Sequence, residues 1–217
     1  MSNKKFLWLL FILLIIVIVI FFISQLKQTA KIQEYKNLQK FFANLDQQTP
    51  LLKKENPKKG SERAELVIFE YSDFLCPYCA EMKKVLDEVI KKYNNQILLV
   101  WKDFPRLAES EKAAVAARCA NEQGNFWAYH DLLFQNQQKL NDEFYLQAAG
   151  LLKLDLEKFQ NCLINPEIAK LVDNDLTEGF LLKVDATPYF FVGQEKISGF
   201  INYEELAKLI EEQLLKK

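Results

Sequence analysis

Polar and apolar positions alternate on three different periods along this chain. Phe6 to Ile23 is an unbroken run of 18 apolar residues with no polar side, and at about 1.5 Å rise per residue a helix over it would reach roughly 27 Å, close to a bilayer's hydrocarbon thickness. It ends in Phe22-Ile23-Ser24-Gln25-Leu26 without an Ala-x-Ala-like cleavage pattern, so an uncleaved membrane anchor is expected over 6–23 rather than a removed signal peptide. Residues 1–5 would then be a short cytoplasmic N-terminus. Tyr35, Leu38, Phe41, Phe42 and Leu45 fall at helical spacing in a polar background, and Pro50, Pro57 and Gly60 follow, so 24–60 reads as a stalk and linker.

From residue 61 the pattern becomes that of a folded domain. Ala64 to Tyr71 is a buried-strand run, Pro77 to Tyr93 has helical periodicity, and Gln96 to Lys102 is a second strand. Several helical segments occupy about 108–183. Pro188 to Val192 and Glu195 to Ser198 flank Gly193 as a hairpin, and Asn202 to Leu215 is an amphipathic helix. The order β-α-β, helical block, β-β-α predicts an α/β fold over 61–217: a mixed sheet with helices on both faces and a helical insertion.

Charge is split along the chain. Residues 1–60 carry +7 and residues 61–217 carry −8. An acidic domain repels phosphate backbones, so nucleic acid is not an expected partner. The basic stalk suits anionic lipid headgroups or simple solvation. Lysines stand on both sides of the apolar run (Lys4 and Lys5 before; Lys27, Lys31, Lys36 and Lys40 after), so the positive-inside rule does not orient it. An extracytoplasmic domain is expected instead from the cysteine chemistry.

That chemistry centres on Cys76-Pro77-Tyr78-Cys79, between a strand and a helix. Two cysteines at this spacing on a first helical turn reach each other. The helix N-terminus favours negative charge at Cys76, so Cys76 is the expected nucleophile and Cys79 the resolving thiol. Pro77 suits the first helical position, where no N–H is needed. A zinc site would need a second Cys/His pair, but Cys119 and Cys162 are isolated and His130 is the one histidine, so no metal is expected. A purely structural disulfide in so tight a ring would constrain little chain. Thr187-Pro188 precedes a strand; a cis-proline turn there would bring the backbone of residue 187 beside the sulfurs for an extended peptide to pair with, and an ordinary trans proline opening the strand is the alternative reading.

The stretch Glu70 to Cys79 (EYSDFLCPYC), the Asn125-Phe126-Trp127 to Phe134 segment and Thr187 to Gly193 (TPYFFVG) together resemble the DsbA-like thioredoxin family, over about residues 60 to 217. The resemblance implies a thioredoxin fold with a helical insertion and oxidation, sometimes isomerisation, of disulfides in exported proteins. It implies no cofactor beyond the Cys76–Cys79 pair. The partners it implies are unfolded or reduced exported proteins and a quinone-linked membrane thiol oxidase of the DsbB or VKOR-like kind. Pro77, Tyr78, Thr187 and Pro188 would contact substrate. Glu70 matches the family's buried acid and would accept the Cys79 proton, with Lys102 on the next strand as a pairing partner; a solvent-facing Glu70 is the alternative reading. Tyr78 stands where the DsbA prototype has a histidine, so a positive charge is missing and the direction of electron flow stays open between oxidase and isomerase or reductase. An isomerase would need a dimer, which segment 26–47 could supply. A thioredoxin-fold module that binds peptides without turnover is a further alternative. Some family members carry a second disulfide, and Cys119 with Cys162 would be its counterpart here; two separate buried thiols is the competing reading.

Overall fold

A computed structural model describes residues 8, 15, 17–29, 32–33 and 49–216. The chain divides into two units, 1–47 and 48–217. In the first, residues 17–29 are helical and expose their apolar side chains, and the Thr29 hydroxyl donates back to the carbonyls of Gln25 and Leu26. Half of the run expected to cross a membrane, 6–23, lies outside the described residues. Among the described residues no helix is long and apolar enough to cross a membrane.

The second unit is built on a five-stranded sheet. Its strands are β1 (Lys58–Gly60), β2 (Leu66–Ser72), β3 (Ile97–Asp103), β4 (Tyr189–Val192) and β5 (Glu195–Ser198), in the order β1-β3-β2-β4-β5. β2 and β3 are parallel and the other pairs antiparallel. The parallel pair is joined by α1 (Pro77–Tyr93), whose buried residues Cys79, Met82, Leu86, Val89, Ile90 and Tyr93 fall on one helical face. Between β3 and β4 come α2 (Ala108–Asn121), α3 (Phe126–Gln135), a 3-10 turn (Gln137–Lys139), α4 (Asp142–Leu151), α5 (Leu156–Leu163) and α6 (Pro166–Leu181). The chain closes with α7 (Tyr203–Leu215).

β2 and β3 are central, so both their faces are covered and their sequences read as continuous apolar runs rather than alternating ones. On one face Leu66, Ile68, Ile97, Leu99 and Phe190 pack under α1 and α7. On the other, Phe69, Tyr71, Val100, Phe104 and Phe191 form a separate core. There α6 comes so close that a Cβ on Gly179 would sit 2.6 Å from the Phe104 ring; the helix crosses at its smallest residue. The insertion has its own core, which includes Phe74, Cys79 and Trp101.

The stretch expected to be linker up to residue 60 instead supplies β1. Asn56 is buried and Pro57 O accepts from Trp101 N. Three residues reading Lys-Lys-Gly carry no apolar signature because β1 is a short edge strand, paired with β3 on one side and touched on the other by the Trp127 indole, which donates to Lys58 O.

Candidate functional site: a cysteine pair at a helix tip beside a cis-proline turn

Cys76 is the N-cap of α1 and Pro77 opens the helix. The turn that delivers it is organised by Asp73. Asp73 O accepts from Cys76 N (3.0 Å), Oδ1 accepts from Leu75 N (2.8 Å) and Oδ2 accepts from Arg106 N (2.9 Å). An aspartate just past a strand is a turn former through such side-chain-to-backbone bonds. That signal was available in the sequence, although the cysteines draw the eye first.

The sulfurs have opposite environments. Cys76 is half-buried and Cys79 fully buried. The Cys76 Sγ donates to Thr187 O at 3.2 Å, and the Thr187-Pro188 bond is cis. The sequence expectation of a residue-187 carbonyl beside the first sulfur therefore describes the geometry. The thiol of Cys76 is pulled down to about 6, first by a hydrogen bond from Cys79, against burial, and then by Thr187 and by the N–H groups of Cys79 and Tyr78. The helix-tip N–H groups expected to lower it thus contribute, but the second sulfur contributes more. Burial, and next the neighbouring Cys76 sulfur, push the Cys79 thiol far up. One thiol is poised to ionise near neutral pH and the other to keep its proton.

Glu70 lies inside, not at the solvent: it is 1% exposed. Burial pushes its carboxyl up to about 8, with the nearby Ser72 hydroxyl pulling the other way and Asp87 and Cys76 adding to the rise. Neither Glu70 Oε2 nor Ser72 Oγ has a hydrogen-bond partner of acceptable geometry. The expected pairing with Lys102 does not occur. The register sets Trp101 opposite Glu70 and Lys102 opposite Tyr71, so the two charges sit on opposite faces of the sheet. Lys102 instead bonds Glu178 Oε2 (2.7 Å), Asp175 Oδ1 (3.2 Å) and Leu51 O (2.9 Å). A shift of one residue in register reverses the face, and an apolar run carries no alternation to reveal it.

Tyr78 is 60% exposed at the helix tip, Pro77 is exposed, and Pro188 is buried with its carbonyl accepting from Gly199 N. Cys119 in α2 and Cys162 in α5 are bonded to each other, with Cα atoms 5.7 Å apart. They staple the insertion rather than join the site. His130 is buried among Phe74, Trp101, Trp127 and Phe134, a packed ring as its helical context suggests. Among the described residues no group of His, Cys, Asp and Glu could hold a metal ion. Gln137, which touches the site from the insertion, has no sequence signal at all.

The chain is similar to several known proteins. A family model described as thioredoxin matches residues 53–212. A Na(+)/H(+) antiporter NhaA 3 from Salinispora tropica is 32% identical over 169 residues, 76% of this chain and 26% of that protein. An antiporter NhaA from Herminiimonas arsenicoxydans is 31% identical over 153 residues, 70% of this chain and 25% of that protein. The chain thus spans about a quarter of the length of these curated relatives. Among solved structures, a thioredoxin-like oxidoreductase from Silicibacter pomeroyi superposes with a TM-score of 0.70 at 26% identity, covering 74% of this chain and 93% of that one. The catalytic domain of Proteus mirabilis ScsC gives 0.69 at 22% identity over 82% and 98%, and Wolbachia pipientis alpha-DsbA1 gives 0.69 at 20% over 76% and 94%; at those identities the likeness is one of fold. The family model covers most of the folded unit, and the chain belongs to the thioredoxin family.

Proposed function

We propose that this chain is a membrane-tethered, extracytoplasmic protein thiol–disulfide oxidoreductase that forms disulfides in exported proteins. The observation that carries the reading is the Cys76 sulfur at the helix tip beside the cis-proline turn, where its thiol donates to Thr187 O and where the Cys79 thiol and the Thr187 side chain favour its thiolate. Stabilising the thiolate stabilises the reduced protein, and a pair that is comfortable when reduced takes electrons from others. Tyr78 supplies no positive charge; the Cys79 thiol and Thr187 take over part of what a histidine would do.

In the proposed cycle the Cys76–Cys79 disulfide meets a reduced client. A client thiolate attacks Cys76 Sγ, the bond to Cys79 breaks, and its electron pair leaves on Cys79, which takes a proton. Glu70, protonated at neutral pH and sharing Ser72 as a neighbour with Cys79, is the buried acid to supply it. The client's second thiolate then attacks its own sulfur in the mixed disulfide, and Cys76 departs as a stabilised thiolate. The client has lost two electrons and the protein has gained them. The half-buried backbone of Thr187 and the exposed Tyr78 ring would hold the extended client. Return to the disulfide form is assigned to a quinone-linked membrane thiol oxidase, DsbB- or VKOR-like, and the anchor to the apolar run 6–23. No cofactor beyond the sulfurs is required.

Trapping tests this. A Cys79→Ser variant whose Cys76 is first loaded as a mixed disulfide with a small aromatic thiol, then mixed with a reduced unfolded client carrying one cysteine, is expected to release that thiol and accumulate a client–Cys76 mixed disulfide, visible on non-reducing gels, while Cys76→Ser accumulates none. A reduction potential against glutathione near about −120 mV supports the oxidase, and one near about −270 mV supports a reductase instead.

A further inference from the structure

The insertion reaches the cysteine turn through Gln137, in the 3-10 turn Gln137–Lys139. Its Nε2 donates to Phe74 O at 2.8 Å and to Cys76 O at 2.9 Å. A primary amide has two N–H donors, and both are aimed at the two carbonyls that bracket the residue before the nucleophile. Cys76 O also receives Ala80 N–H at 3.3 Å, from the first turn of α1. Nothing comparable comes from the sheet side, where Asp73 holds the N–H groups of Leu75 and Cys76. The turn is therefore gripped at its donors by Asp73 and at its acceptors by Gln137.

The carbonyl oxygens of Phe74 and Cys76 carry the negative ends of two peptide dipoles in the turn that holds the ionising sulfur. Amide hydrogens on those oxygens offset that negative charge and fix the Phe74–Leu75 and Cys76–Pro77 peptide planes, and with them the placement of Cys76 at the tip of α1. We propose that Gln137 is a positioning residue for the exchange reaction: by holding the carbonyls of Phe74 and Cys76 it favours the Cys76 thiolate and makes the insertion a determinant of how oxidising the protein is. This rests on the reading of Cys76 as the nucleophile. Gln137 itself touches no reacting atom.

The test uses the full chain with Gln137→Leu, which removes both donors at similar volume, and Gln137→Glu, which replaces them with a charged acceptor. The readouts are the Cys76 thiolate titration, followed by ultraviolet absorbance, and the equilibrium constant with glutathione; thermal melts confirm folding. The ionisation constant of Cys76 is expected to fall about three- to tenfold in Gln137→Leu and more than about tenfold in Gln137→Glu, and the capacity to oxidise glutathione should fall in the same order. Folded variants with an unchanged titration and unchanged glutathione equilibrium would overturn the proposal, leaving Gln137 as a staple only. Should the variants not fold, the wild-type side-chain amide resonances of Gln137 decide: they should shift with the Cys76 midpoint, and indifference to it overturns the proposal. A wild-type protein that does not exchange with glutathione would sink the functional reading and this inference with it. Normal exchange that is indifferent to Gln137 sinks this inference alone.

Discussion

Glu70 and Tyr71 are consecutive in β2 and point to opposite faces of the sheet, and the two faces treat buried polarity in opposite ways. Behind Tyr71, and on to Asp103 opposite Ser72 at the end of β3, the buried charges are matched. The Tyr71 hydroxyl donates to Glu178 Oε2 (2.8 Å), Glu178 and Asp175 receive Lys102, and Asp175 and Asp103 share Arg118. The same network ties down the incoming chain. Lys102 donates to Leu51 O, Leu51 N donates to Glu178, Arg118 donates to Glu55 O, and Asn56 donates to Asp175. On the Glu70 face the carboxyl has an unpartnered oxygen and the neighbouring Ser72 hydroxyl is unpartnered too. Matched burial keeps charge states fixed and holds elements together. Unmatched burial leaves a group whose protonation is easily changed, which is what proton transfer at a thiol requires.

The largest effect that sharpens this contrast is the pH dependence carried by Glu70. Its folded value, about 8, lies above the ordinary 4.5. The folded protein therefore keeps a proton that the unfolded chain releases, and stability falls as pH rises from about 4.5 through about 8, then levels. Glu70→Gln should remove that fall, so its stability relative to wild type rises across this window by on the order of 5 kcal/mol. Urea denaturation of the oxidised proteins at several pH values, with the thiols out of play, measures it. A constant difference between the two proteins would mean that Glu70 is ionised in the fold.

In the matched network, Arg118→Met leaves Asp103 and Asp175 short of a cation and should cost about 4 kcal/mol, with the Cys76 titration unmoved. Loss of stability accompanied by a shifted titration would show that the faces are not separate. Smallest is Tyr71→Phe, which removes one hydrogen bond to a carboxylate at an expected cost of about 1.5 kcal/mol, again without effect on Cys76.

The Glu70 face was the more legible in the sequence. Cys76 and Cys79 announce themselves by spacing, Thr187-Pro188 by its position before a strand, and Glu70 by being an acid inside an apolar strand. α1 begins and ends at the residues its periodicity predicts, Pro77 and Tyr93. What the sequence hid was lateral: which residue of β3 lies beside Glu70, and which helix supplies the partners of Lys102. Asp175 and Glu178 come from α6, more than 70 residues after Lys102, and no local pattern joins them. β1 was hidden because an edge strand of three polar residues buries too little to leave a mark. Gln137 was hidden because its role depends on where the insertion folds back, a long-range fact.

One measurement bears most directly on the central claim. Titration of the reduced protein, with Cys76 thiolate read by its ultraviolet absorbance and assigned by its loss in Cys76→Ser, should give a midpoint at about 6, with Cys79 remaining protonated through the range studied. A midpoint near 9, the ordinary thiol value, would contradict the account.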